Sequence, residues 1–157
     1  MKRLWAPWRT VYINEVQSKG CIFCRGHKAR HDRKSLILHR GEEGFIILNR
    51  FPYSNGHLMI APYRHVGEIS ELTRDEVFEM FDLLNRAIGA IKKTMRPQAF
   101  NVGLNLGRVA GAGVEDHIHI HVVPRWSGDT NFMPVLCQTK VISEALDCTY
   151  QKLKKVF

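Results

Sequence analysis

Three histidines at every second position, His117, His119 and His121, form the densest group of reactive side chains in the chain. They lie in HIHIHVV, with Ile118, Ile120 and Val122 at the alternate positions. Alternate residues of an extended strand share a face, so the spacing predicts three imidazoles on one face, stepwise about 7 Å apart, and an apolar anchor on the other. Near neutral pH an imidazole can be a nucleophile, an acid or base, or a metal ligand. The plainer alternative is an exposed edge strand whose polar face happens to be histidine, which would need chance clustering among eight histidines. Just upstream, GRVAGAGVED places three glycines within residues 107–113. A glycine-rich loop lets backbone N–H groups approach an anion. Such loops are commonly plain turns, but ahead of a three-histidine strand this one marks a phosphate site. A second cluster, Cys21-Ile-Phe-Cys24, has the spacing of half a tetrahedral zinc site, against the alternative of a reduced, buried cysteine pair. Spacing alone leaves its partner ligands open among the histidines. Cys137 and Cys148 read as ordinary buried thiols.

The elements that would carry these residues follow from pattern. Residues 35–40 and 45–49 read as a hairpin around Gly41-Glu-Glu-Gly44, and 57–61 as a third strand stopped by Pro62. Thr73 with Glu76 makes a capping box for a helix from Asp75 to about Met95. Its apolar positions Val77, Phe81, Leu84, Ile88, Ile91 and Met95 share one face. Residues 100–106 form a fourth strand and 117–123 a fifth, stopped by Pro124, while 139–156 has room for a terminal helix. Residues 1–33 read as an irregular arm bearing the CxxC knuckle and Trp5, Trp8 and Tyr12, which would clamp either the chain's own core or a nucleotide site or partner. Strands around one long helix predict an α+β fold with a five-stranded antiparallel sheet.

At 157 residues with 45% hydrophobic composition the chain suits one domain with a real core. No apolar run reaches membrane-spanning length and no signal-peptide h-region is visible, so a cytoplasmic protein is expected. The formal charge of +8 favours anionic partners. No basic run is interleaved with aromatics, so a nucleic-acid partner is not expected.

His117-Ile-His119-Ile-His121-Val-Val resembles the signature of the histidine-triad (HIT) superfamily, three histidines alternating with apolar residues. The likeness extends over FIILNRFPYSNGHLMIAPYRHV at 45–66, the long helix, FNVGLNLGRVAG at 100–111 and HIHIHVVPR. RVAGAG, VVPRW, GDTNFMPV and the WAPWR start are similar to bacterial diadenosine-tetraphosphate phosphorylases, beside the fragile-histidine-triad branch. The resemblance implies a catalytic core at 34–125, a C-terminal extension at 126–157, and a homodimer that joins its sheets. It implies cleavage of dinucleoside polyphosphates through a nucleotide adduct on His119, with His121 assisting the leaving group. Asn49 would hold the ribose, Ile47 would line the base pocket, and His57 and Asn105 would lie near the phosphates. Gly111, Ala112 and Gly113 would contact phosphate through their backbone, since this chain lacks the Gln-Ser or Gln-Thr often found there. Related proteins pair a CxxC with a Pro-x-x-His histidine and the first triad histidine, so Cys21, Cys24, His65 and His117 would hold a structural zinc that supports the strand and not the reacting atoms. The acceptor is left between water and phosphate, with Arg125 or Lys140 as sources of charge for the latter. Alternatives are a nucleoside phosphoramidate hydrolase, a nucleotide-binding regulator with little turnover, or a metal sensor built on the same histidines.

Overall fold

A computed structural model describes residues 20–29, 31–129 and 142–157. Trp5, Trp8, Tyr12, Cys137 and Lys140 lie outside the described residues. The elements are α1 (Ile22–Lys28), α2 (Asp32–Ser35), β1 (Ile37–Arg40), β2 (Gly44–Leu48), β3 (Leu58–Pro62), α3 (Arg74–Met95), β4 (Ala99–Leu104), β5 (Ile120–Arg125) and α4 (Leu146–Lys154). The strands form one antiparallel sheet in the order β1-β2-β3-β5-β4. Among the described residues no helix is long and apolar enough to cross a membrane.

Both faces of the sheet are covered at its centre, which is why FIIL and LMIA are apolar without alternation. Ile46, Leu48, Leu58, Ile60, Ile120 and Val122 pack against α3 and against Tyr150 and Leu153 of α4. Ile37, Phe45, Ile47, Met59 and Ala61 face the other way, under Phe23 of α1. His121 pairs with Met59 across the strands and shares that second face. Residues 20–29 and 31–33 are thus more regular than the arm expected there, because Phe23 of α1 has a buried face to cover.

The capping box of α3 is present: the Glu76 N–H donates to Thr73 Oγ1 at 3.2 Å and the Thr73 N–H to Glu76 Oε2 at 2.8 Å. The core stripe differs from the expected one. Met80, Leu83, Ala87 and Ile91 face the sheet, whereas Phe81 is 63% and Val77 38% exposed. At about 100° per residue, Val77, Phe81, Leu84, Ile88 and Met95 lie roughly a quarter-turn from the core stripe. Leu84, Ile88 and Met95 still pack, partly buried, at the flank of the same core, and Val77 and Phe81 are left exposed.

Of the two prolines expected to end strands, Pro62 is the last residue of β3 and Pro124 lies inside β5. Pro62 pairs with Gly44 on one side, and Pro124 with Phe100. The β3–β5 pairing runs only from Ile60↔Ile120 to Leu58↔Val122, so neither proline is asked for an N–H on that side. The strand expected at 117–123 begins at Ile120, which leaves His117 in a bend and His119 in the irregular lead-in to the strand. Cys148, expected buried, is exposed.

Candidate active site and metal centre

His119 is buried, and its Nδ1–H donates to the His117 carbonyl oxygen at 2.8 Å. That bond assigns the proton to Nδ1 and leaves Nε2 with a free lone pair. The bond arises because the backbone is not yet in a ladder at His117, so its carbonyl is available to a side chain two residues on. Burial holds His119 below the ordinary histidine value, so the ring stays neutral and nucleophilic at neutral pH.

The His121 ring meets His119 edge-on with centroids 4.8 Å apart, closer than the 7 Å strand repeat suggests. A directional chain fixes its proton as well. The Tyr53 N–H donates to His57 Nδ1 at 3.0 Å, and the Asn49 amide nitrogen lies 3.2 Å from the same atom. With Nδ1 accepting, His57 carries its proton on Nε2 and donates it to His121 Nδ1 at 2.9 Å. His121 therefore presents Nε2–H. Desolvation by burial, then the neighbouring His119, push its pKa down to about 4, so it donates as a neutral imidazole. The two rings offer one lone pair and one N–H side by side, the pair of functions that displacement at phosphorus needs.

His57 is fully buried and bonded to His121, so it acts on whatever lies in the site through His121. Asn105 Nδ2 lies 3.5 Å from His121 Nε2, a contact between two N–H groups in this tautomer and not a hydrogen bond, and a Cβ built on Gly111 would lie 3.8 Å from the same amide nitrogen, placing the glycine loop beside it. Gly107 and Gly111 have φ of 79° and 92°, so glycine is needed at both. The loop amides differ from the expected anion nest: Gly111 N–H donates to Arg108 O and Ala112 N–H to Gly107 O. Both are spent closing a 3-10 turn, and Ala112 is buried; Gly113 follows them at the loop's end. Asn49 is engaged at both ends, its Oδ1 accepting from the Phe51 N–H at 2.9 Å. Ile47 is 6% exposed beneath α1. Arg125 is committed elsewhere, to Asp129 and, at 2.7 Å, to Asn101 Oδ1.

Cys21, Cys24, His65 and His117 converge so that their ligand atoms all lie within 4.8 Å of one another. His65 Nδ1 and His117 Nδ1 are 3.3 Å apart, and three of the four sulfur-to-nitrogen separations are 3.3 to 3.6 Å. A zinc tetrahedron with Zn–S near 2.3 Å and Zn–N near 2.05 Å has edges of about 3.3 Å (N–N) and about 3.6 Å (S–N), so the donor set fits that ion. The His117 Nε2–H donates to the Pro62 carbonyl at 2.9 Å, which turns the Nδ1 lone pair toward the cluster. The Ile118 N–H to Val66 O bond at 2.7 Å brings the His65 turn alongside.

A model of the HIT domain matches residues 30–128. The chain belongs to the HIT family. An AP-4-A phosphorylase of Mycobacterium tuberculosis is 40% identical over 161 residues, covering 98% of this chain and 83% of the relative. The asymmetrical bis(5'-nucleosyl)-tetraphosphatase of Schizosaccharomyces pombe is 30% identical over 95 residues, 60% of this chain and 52% of that protein. A hypothetical histidine triad nucleotide-binding protein of Sulfolobus tokodaii superposes with a TM-score of 0.66 at 25% identity, covering 87% of this chain and 88% of that one. A zinc-bound histidine triad family protein of Mycobacterium smegmatis gives 0.67 at 22% identity, covering 87% and 92%. The α+β sheet expected from the sequence is thus that of the HIT fold. Sequence reasoning missed Tyr53, whose backbone N–H orients His57 and whose ring lies 5.7 Å from that of His121. No local pattern marks a residue that contributes through its backbone.

Proposed function

We propose that this HIT protein cleaves dinucleoside polyphosphates such as diadenosine tetraphosphate at the α-phosphorus, through a nucleotide covalently bound to His119. The observation that carries the reading is the fixed pair of tautomers, a lone pair on His119 Nε2 beside an N–H on His121 Nε2. His119 Nε2 forms the bond to phosphorus while the bond from phosphorus to the bridging oxygen breaks. His121 Nε2–H gives its hydrogen bond, or its proton, to the departing oxygen. In the second half an acceptor oxygen displaces the imidazole, and its proton returns to His121. Asn105 steadies the phosphate, and the second lone pair of Asn49 Oδ1 accepts from a ribose hydroxyl. The base stacks at the rim of the α1-covered face near Ile47, and Gly113, beyond the turn that engages the Gly111 and Ala112 amides, contacts the phosphates through its backbone. Zinc held by Cys21, Cys24, His65 and His117 would act as a structural cross-link between α1, the His65 turn and the lead-in to β5.

The acceptor we favour is inorganic phosphate, as in the name of the M. tuberculosis relative. Arg125 does not supply its charge, being neutralised by Asp129. The protein works as a homodimer: β4 is an edge strand exposing Val102 and Leu104, and α3 exposes Phe81. Reduced cysteines suit the cytoplasm. The test is product identity with and without phosphate. Diadenosine tetraphosphate should give ATP and ADP when phosphate is present, and ATP and AMP slowly without it. AMP at every phosphate concentration would make water the acceptor.

A further inference from the structure

The cysteine knuckle carries a residue that its metal-binding role does not explain. Between Cys21 and Cys24, Ile22 is 42% exposed while Phe23 is fully buried. The Phe23 ring lies 4.7 Å from the ring of His119 and 5.0 Å from that of His117, at tilts of 40° and 44°. It also packs 6.5 Å from Phe45. We propose that Phe23 is a positioning residue for the His119 nucleophile, held in place by the metal ligands on either side of it. This rests on the nucleotidyl-histidine reading above.

One hydrogen bond, from Nδ1 to the His117 carbonyl, defines the tautomer of His119 but leaves the ring free to tilt about that bond. Two contacts restrict the tilt: the edge-on His121 ring and the Phe23 ring. His121 is itself held by His57. Phe23 is held by its chain neighbours, since Cys21 Sγ and Cys24 Sγ lie 3.3 and 3.6 Å from His117 Nδ1. Binding an ion there fixes the backbone on both sides of Phe23 and, through His117, the carbonyl that orients the nucleophile. The metal centre and the reacting nitrogen thus share two mechanical links, Phe23 and the His117 backbone. A purely structural cross-link would need neither a ring at position 23 nor contact with His119. Misplacing a nucleophile by about 1 Å costs on the order of 10²-fold in rate, so a residue that restricts tilt has a measurable share of catalysis without touching substrate.

The experiment compares wild type with Phe23→Leu, which keeps an apolar core side chain, and Phe23→Ala. Three properties are read: zinc content, single-turnover formation of the nucleotide adduct beside KM, and the NMR resonances of the His119 ring before and after zinc is stripped with a chelator. Phe23→Leu should fold, hold about one zinc per chain and keep KM within about threefold, while adduct formation slows about 30- to 100-fold. Zinc removal should move the His119 resonances in wild type, and less in Phe23→Leu, where one of the two links is cut and only the path through the His117 backbone remains. Should Phe23→Ala fail to fold, Phe23→Leu alone carries the test. Adduct formation within threefold of wild type in Phe23→Leu, or His119 resonances indifferent to zinc, overturns the proposal. If wild type forms no adduct at all, the fault lies with the nucleotidyl-histidine reading, and the resonances still decide whether the knuckle holds His119.

Discussion

Replacing His57 by Phe keeps a ring-sized apolar body in a fully buried position and removes both nitrogens of the relay. His121 Nδ1 then loses its donor at the buried end, 2.9 Å away. Either that atom stays unsatisfied or the ring adopts the other tautomer and withdraws the Nε2 proton from the site. An orphaned buried acceptor costs about 1–3 kcal/mol of stability, and the Tyr53 N–H loses its acceptor as well. Loss of a positioned proton donor costs about 10²–10⁴-fold in rate, and only where the leaving oxygen needs a proton. The assay is therefore a series of aryl esters of AMP with leaving groups of rising basicity. Wild type should show a shallow dependence on basicity. His57→Phe should match it within a few-fold for nitrophenolate and fall behind by about 10²-fold or more for phenolate. A uniform loss across the series, or none, would refute the assignment of His57 as the residue that sets the His121 proton.

Metal-free protein should lose stability in acid. Burial lowers His121 to about 4 from an ordinary 6.5, so the unfolded chain takes up a proton first; the contribution is complete above pH 6.5 and fades toward pH 4, by up to about 3 kcal/mol, as urea titrations across that range would show. Because His119 is also held low, the acid limb of kcat/KM should fall below the ordinary histidine range, and a limb at or above it would contradict a buried neutral nucleophile. Thr73→Ala should cost about 1 kcal/mol through the lost cap without changing kcat, measured by denaturant midpoint and turnover together. Phe81→Asp should shift the protein to monomer in sedimentation velocity, and an unchanged dimer would mean that the Phe81 face of α3 is not an interface.

Much of the site could be read from the sequence because spacing encodes it. The alternation HIHIH places His121 on one face with Ile120 and Val122 on the other, as found. Thr73 and Glu76 mark the start of α3 because a capping box is a local geometry. The CxxC spacing marks two metal donors, and the resemblance to HIT proteins implies the other two, His65 and His117, which the fold brings together with them across 96 residues. What spacing does not encode is tertiary competition. Nothing local tells the core-facing positions of α3 from the apolar positions a quarter-turn away, since the choice is made only when the sheet arrives. Prolines end strands on average, yet Pro124 persists inside β5 where the neighbouring strand stops short. Pairing on β5 starts at Ile120, opposite Ile60 of β3 and Leu104 of β4, and that leaves the His117 carbonyl free to fix His119. Asn49 and the loop amides look available for a ligand in sequence, and their internal hydrogen bonds emerge only in three dimensions.

The central claim is that His119 becomes covalently bonded to the nucleotide. Mixing the protein with diadenosine tetraphosphate labelled on the α-phosphorus, quenching in base within milliseconds to seconds, and mapping the labelled peptide tests it directly. The account predicts label on the peptide containing residues 117–121, placed on His119 by fragmentation, and none in His119→Asn. Label on His117 or His121, or full turnover by His119→Asn with no labelled protein, would contradict it.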